Sequence, residues 1–100
     1  MDNIFEIVDK TGRRIRLSKK QWASHIVRRH PQISSEKDKL IETLQNPDKI
    51  VDTIQLDSSK RFYYKYYKNR LSLNKFLRVI VKYLNGHGFI ITGQFVAKIT

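Results

Sequence analysis

The sequence has no cysteine, and this absence excludes several classes of protein together. Without thiols the chain can form no disulfide framework, no thiolate zinc site and no cysteine nucleophile. It also has no apolar run close to the ~20 residues that span a bilayer, and its first residues show no leader pattern. These absences predict a soluble protein of the cytoplasm that does not bind membranes.

Acidic residues are the next scarce class. Nine Asp and Glu stand against twenty Lys and Arg, which gives a formal net charge of +11. The stretches 10–29 and 60–100 contain no acid, and six of the nine acids lie between Glu36 and Asp57. A fold that brings the two acid-free stretches together has one strongly positive face. Such a face favours a polyanionic partner, and RNA is the partner that we expect.

The motifs of metal-dependent and nucleotide-dependent catalysis are also missing. His25 and His30 are five residues apart, about 140° around a regular helix, so they cannot bind one ion as an i, i+4 pair does. The acids lie away from the basic stretches, and the chain has no glycine-rich phosphate loop and no serine-nucleophile motif. We therefore expect neither a metal nor a cofactor.

Hydrophobic periodicity and turn residues predict one α+β domain over residues 1–100. The predicted elements are, in order, a hairpin, two helices and four strands: 3–8, 14–17, 19–29, 35–45, 50–56, 61–67, 75–84 and 89–99. Ser18 with Gln21 forms a capping box for the first helix, and Pro31 ends it because the residue before proline is pushed out of helical geometry. We expect the hairpin and both helices to pack on a four-stranded antiparallel sheet.

Side chains alternate between the two faces of each predicted strand. A single register would gather the polar groups on one face, namely Tyr63, Lys65, Arg78, Lys82, Thr92 and Gln94. Cations there would bind phosphates, and aromatic rings would stack with unpaired bases. The residues expected to bind RNA, on this sheet and at the end of the first helix, are Arg28, Arg29, Arg61, Tyr63, Tyr67, Arg78 and Gln94.

The same groups fit RNA cleavage without a metal, in which the 2′-hydroxyl attacks the adjacent phosphorus. This reaction needs a base, an acid for the leaving 5′-oxygen, and cations for the charge on the phosphoryl oxygens. His25 or His30 titrates near neutrality and suits either role. Lys65, Arg78 or Lys82 could hold the phosphate.

Two other classes of function use the same features. A non-enzymatic module could bind RNA or DNA through the basic face, and an interaction protein could dock an acidic partner there. His30 could also be a packed histidine whose cation suits the end of a helix, and the tyrosines could reflect strand propensity. The helix histidines favour the enzyme.

Several short motifs resemble a known family. They are Trp22 with His25-Ile26, Arg29-His30-Pro31, Glu42-Thr43-Leu44, Asn46-Pro47-Asp48, Tyr63-Tyr64-Lys65, Val79-Ile80-Val81-Lys82 and Ile90-Ile91-Thr92. Between Trp22 and Phe95 the pattern resembles the phage-type nuclease domains of the barnase–EndoU–colicin–RelE-like superfamily of small RNases. The resemblance implies a barnase- or RelE-like fold, metal-independent RNA cleavage, and a role as a toxin or mobile-element effector. It also implies an acidic antitoxin or immunity protein as a partner.

The resemblance implies a catalytic set made of helix and strand residues. Transferred position by position, the set is His25, His30, Lys65, Lys82 and Thr92. The chain departs from the family pattern at Gln32, where an acid often follows the His-Pro pair. It departs again at Gly93-Gln94, where an aromatic residue often follows the threonine, and this second change falls at the presumed pocket.

Overall fold

A computed structural model describes residues 3–52, 59–84 and 86–99 of the chain. The strands are β1 (Asn3–Val8), β2 (Arg14–Ser18), β3 (Lys49–Asp52), β4 (Lys60–Tyr66), β5 (Phe76–Leu84) and β6 (His87–Val96). Between β2 and β3 lie α1 (Lys19–Gln21), a π-helix (Trp22–Val27), a 3₁₀ turn (Pro31–Ile33) and α2 (Lys37–Gln45). The predicted α+β class is confirmed. The predicted continuation of β3 to residue 56 and the turn after it fall largely outside the described residues.

The strands form one mixed sheet with the order β1-β2-β6-β5-β4-β3. The N-terminal hairpin joins this sheet because β2 pairs in parallel with β6 through Arg14↔His87, Ile15↔Gly88 and Arg16↔Phe89. The other neighbouring strands pair antiparallel. The sheet therefore has six strands, where the sequence predicts four and a hairpin beside them.

The two faces of the sheet differ in what covers them. Leu77, Val79 and Val81 of β5 are fully buried, and they share one core with Leu40 and Leu44 of α2. We call this side of the sheet the covered face. Burial of a side chain of this size contributes about 1.5–3 kcal/mol, so the covered face holds the helices in place. We call the opposite side the open face; it carries the alternate residues of the central strands, of which Arg78 and Lys82 are half-buried and Tyr64 is fully buried.

The first helical segment begins as predicted and continues in a wider form. Ser18 caps α1 by accepting a hydrogen bond from the Gln21 backbone N–H at 3.0 Å. The π-helix then follows directly, and His30 adopts non-helical angles before Pro31. Among the described residues no helix is long and apolar enough to cross a bilayer.

Gly93 of β6 lies beneath Leu40, and this contact gives a test of the packing. A Cβ at position 93 would lie 2.7 Å from Leu40 Cδ2, so we expect Gly93→Ala to overpack the core. The free energy of unfolding should fall by about 1–3 kcal/mol, measured by urea denaturation. In a Leu40→Ala background the same substitution should cost less, because the opposing atoms are gone. An equal cost in both backgrounds would contradict this packing.

Candidate nucleic-acid interface

The open face has two rows of side chains that run from strand to strand across the sheet. Both rows contain cations. In the first row, Lys82 of β5 lies opposite Lys60 of β4 and Phe89 of β6, and Phe89 lies opposite Arg16 of β2. We call Lys60, Lys82, Phe89 and Arg16 the basic row. Neighbouring strands are about 4.8 Å apart, so the basic row extends for about 14 Å across the sheet. A row of this length can contact several phosphates of a bound nucleic acid rather than one.

Arg78 is the centre of the second row. It lies opposite Tyr64 on one side and Gln94 on the other. Thr92 lies between the two rows, because it is opposite Ile80. Arg78 and Lys82 are four residues apart on one strand, which is about 13 Å. The two cations would therefore contact different phosphates of a bound chain.

Aromatic rings lie between these cations. The Arg16 guanidinium carbon is 4.7 Å from the centroid of the Phe89 ring, and that of Arg78 is 5.9 Å from the Phe62 ring. Among the described strand residues of the open face, Glu6 is the one acid, and it pairs with Arg14 at 3.2 Å. A positive surface with rings between the charges is the arrangement that binds single-stranded nucleic acid.

The first helical segment runs along β6 where β2 leaves it. The side-chain amide of Gln21 donates to the carbonyl of Ile91, which anchors the segment at this margin of the sheet. His25 lies within the π-helix, which ends at Val27, and the backbone N–H of His30 donates to the carbonyl of Ile26, four residues earlier, at 2.8 Å. Neither histidine is fully exposed.

The electrostatic environment of His30 links it to the open face. Its pKa is lowered from the ordinary value of 6.5, first by burial and then by the charges of Arg29, His25 and Arg78. Arg28 and Arg29 are exposed at the end of the same segment. A lowered pKa favours the neutral imidazole, which is the form that a general base requires.

The predicted gathering of six polar residues on one face is wrong for two of them. Tyr63 lies opposite Val79, and Lys65 lies opposite Leu77, so both point to the covered face. The Lys65 ammonium donates to the carbonyl of Asn46 at 3.0 Å. Because side chains alternate along a strand, β4 places these residues on the side opposite Lys82 and Thr92. Lys65 therefore cannot share a phosphate with them.

Tyr63 belongs to a hydrogen-bonded cluster instead. The side chain is fully buried, and its hydroxyl bonds to the Asp9 carboxylate and to the hydroxyl of Tyr83. Asp9 also accepts from the backbone N–H groups of Thr11 and Arg13, which closes the turn between β1 and β2. Burial, together with the bond to Asp9, raises the pKa of Tyr63 far above its ordinary value. The cluster is structural, and it excludes Tyr63 from contact with RNA.

Arg61 and Tyr67 also lie on the covered side of the sheet, Arg61 opposite Val81 and Tyr67 against α2. Arg61 forms an ion pair with Asp52 at 3.1 Å, and the hydroxyl of Tyr67 donates to Glu42 at 2.6 Å. Burial and then the bond to Glu42 raise the pKa of Tyr67 above its ordinary value. Neither residue lies among Arg78, Lys82 and Gln94, so the predicted RNA-binding set is divided between the two faces.

Tyr64, which belongs to the Tyr63-Tyr64-Lys65 motif but was not predicted as a site residue, is fully buried opposite Arg78. Within the described part of the chain, its hydroxyl and the Nε of Arg78 are buried without a hydrogen-bond partner. A buried polar group left unsatisfied costs about 1–3 kcal/mol, so this cost falls at the centre of the second row. Strand alternation would have grouped Tyr64 with Arg78 once the register was known.

Comparison of the chain with protein-family models, with curated proteins and with solved structures finds no match.

Proposed function

We propose that the chain is a small, metal-independent endoribonuclease that cleaves RNA across the open face of the sheet. The observation that carries the proposal is that His30, a half-buried histidine after the helical segment that contacts β6, lies within electrostatic reach of Arg78, a cation of the open face. A titratable group beside a phosphate-binding cation is what cleavage by the RNA's own 2′-hydroxyl requires.

In the proposed reaction His30 acts as the base. It takes the proton of the 2′-hydroxyl, and the 2′-oxygen attacks the adjacent phosphorus. The bond to the 5′-oxygen breaks, and this oxygen leaves with a proton donated by an acid. His25, close to His30 along the helical segment, is the residue that we assign as that acid. The products are a 2′,3′-cyclic phosphate and a 5′-hydroxyl.

Arg78 holds the phosphate that is cut. Its guanidinium can offer two parallel donors to two phosphoryl oxygens, and the buried Tyr64 hydroxyl lies opposite it in the register. Thr92 and Gln94 donate further hydrogen bonds from β6. Lys82 contacts a different phosphate of the same strand, because it lies about 13 Å from Arg78 along β5. Lys65 has no part in this arrangement.

The same site bears on the family to which the chain belongs and on the protein that would neutralise it. We infer a relationship to the barnase–EndoU–colicin–RelE-like RNases, in which β3 to β6 would be the shared antiparallel unit and β1 and β2 an addition at its edge. A toxin or mobile-element effector is the corresponding biological role. An acidic antitoxin or immunity protein would neutralise the enzyme by covering the open face, since charge complementarity favours that surface.

The test is incubation of the purified protein with RNA in EDTA, followed by analysis of the ends. We expect cleavage in the presence of the chelator, with 2′,3′-cyclic phosphate on the 5′ fragment. RNA whose 2′-hydroxyls are methylated should bind and stay intact. RNA that is bound with a steep salt dependence but never cut would instead establish the non-enzymatic binding module.

A further inference from the structure

A cavity opens where β2 and β6 separate. The two strands pair in parallel only as far as Arg16↔Phe89, after which β2 leads into α1 and β6 continues beside β5. The cavity at this fork has a volume of about 340 Å³. Its lining residues are Asn3, Arg16, Ser18, Gln21, Phe89 and Ile90. Small-molecule sites have volumes of roughly 300–1,000 Å³, so the space fits one flat ring system.

The side chains that line this cavity are complementary to a planar ligand with polar groups at its edge. Phe89 presents an aromatic ring, and the Arg16 guanidinium lies 4.7 Å from its centroid. The Gln21 amide is fixed through its nitrogen, which donates to Ile91, so its oxygen remains as an acceptor. The Ser18 oxygen accepts from the Gln21 backbone, which leaves the hydroxyl proton as a donor. Asn3 adds a second amide.

We propose that the fork of β2 and β6 is a nucleobase pocket that binds one unstacked base of single-stranded RNA. The inference rests on the proposed function for the identity of the ligand. A flat base would stack on Phe89, beside Arg16, and direct its polar edge towards the amides and the hydroxyl. A bare phosphate would make no contact with the aromatic wall, and Arg16, the one cation among the described lining residues, lies beside that ring.

The pocket and the phosphate-binding rows belong to one continuous surface. Phe89 is a member of the basic row and lies opposite Lys82. A nucleotide whose base enters the fork therefore has its phosphate beside Lys82, about 13 Å along β5 from the phosphate at Arg78. A base in a duplex is stacked and paired and cannot enter. The pocket thus selects single-stranded RNA.

Binding of a six-nucleotide, fully 2′-O-methylated RNA tests the pocket, because this RNA cannot be cut by its own 2′-hydroxyl. Fluorescence anisotropy at fixed salt gives the affinity for the intact oligomer and for six oligomers that each lack one base. Removal of the base that occupies the fork should weaken binding by about 5- to 150-fold. In the Phe89→Leu variant the same base removal should have almost no effect.

Two further variants separate stacking from charge and from folding. Arg16→Lys keeps the positive charge, so it should retain the salt dependence of binding while losing most of the base effect. Phe76→Leu removes another ring of the open face, away from the fork, and should keep the wild-type pattern. All variants are compared with the wild type by urea denaturation.

The outcomes distinguish this inference from the proposed function. If base removal weakens binding equally in wild type, Phe89→Leu and Arg16→Lys while RNA is still cut in EDTA, the pocket is wrong and the nuclease stands. The pocket is also wrong if duplex RNA binds as tightly as the single strand. If the base effect depends on Phe89 but RNA is never cut, the pocket stands and the nuclease is wrong.

Discussion

Replacement of His30 by glutamine is expected to slow RNA cleavage by about 10²- to 10⁴-fold, the usual contribution of a general base. Glutamine can still donate and accept hydrogen bonds, but it cannot take a proton from the 2′-hydroxyl. RNA affinity should change little, because the cations of the open face remain. The measurement is the single-turnover cleavage rate in EDTA with enzyme in excess over labelled RNA.

His87→Gln is the matched control for this substitution. His87 is exposed at the start of β6, so the same chemical change is made at the end of the sheet away from Arg78. Its cleavage rate should equal that of the wild type. A His30→Gln rate within threefold of the wild type would show that His30 is not the base. Urea denaturation of both variants separates a loss of chemistry from a loss of folding.

Local signals explain why the order of the elements could be predicted. Ser18 caps a helix and Pro31 stops one, and each acts within a few residues of its own position. The same holds for the turn at Asp9, whose carboxylate binds the backbone two and four residues later. Such contacts join residues that are close in sequence, so they can be predicted without the tertiary fold.

The face of β4 could not be predicted in this way. Tyrosines occupy consecutive positions at Tyr63 and Tyr64, so hydrophobic alternation gives no preference between the two faces. The choice is made by Asp9, which is far away in sequence and binds the Tyr63 hydroxyl. Once Tyr63 points to the covered face, Lys65 must do so too. The contact between Tyr63 and Asp9 therefore places Lys65, a predicted catalytic residue, on the covered face.

The parallel pairing and the π-helix were missed for related reasons. The pairing of β2 with β6 consists of three residue pairs between opposite ends of the chain, and no turn motif in the sequence predicts it. Gly88 supports it, because a Cβ there would lie 2.9 Å from Ile15, but a lone glycine does not identify its neighbour. A wheel drawn at 100° per residue likewise does not describe Trp22–Val27, because the turn of a π-helix is wider than that of an α-helix.

Arg78→Gln is expected to lower the cleavage rate by about 10²- to 10³-fold, as loss of a group that stabilises the developing charge does. Lys65→Gln is the matched control. It removes the same charge from the other face of the sheet, where Lys65 binds Asn46, and it should leave the rate unchanged. Equal losses in the two variants would mean that net charge matters rather than the open face.

The pH profile of Arg78→Gln gives a second, independent result. A base must be deprotonated, so wild-type kcat/KM should fall on acidification at pH values below 6.5, because burial, Arg29, His25 and Arg78 lower the pKa of His30 from that value. Removing the Arg78 charge raises this pKa, and the acid limb should move to higher pH. A merely structural role for Arg78 would reduce the rate without moving the limb. A shift to lower pH would contradict the proposed pairing, because a cation beside an imidazole can only oppose its protonation.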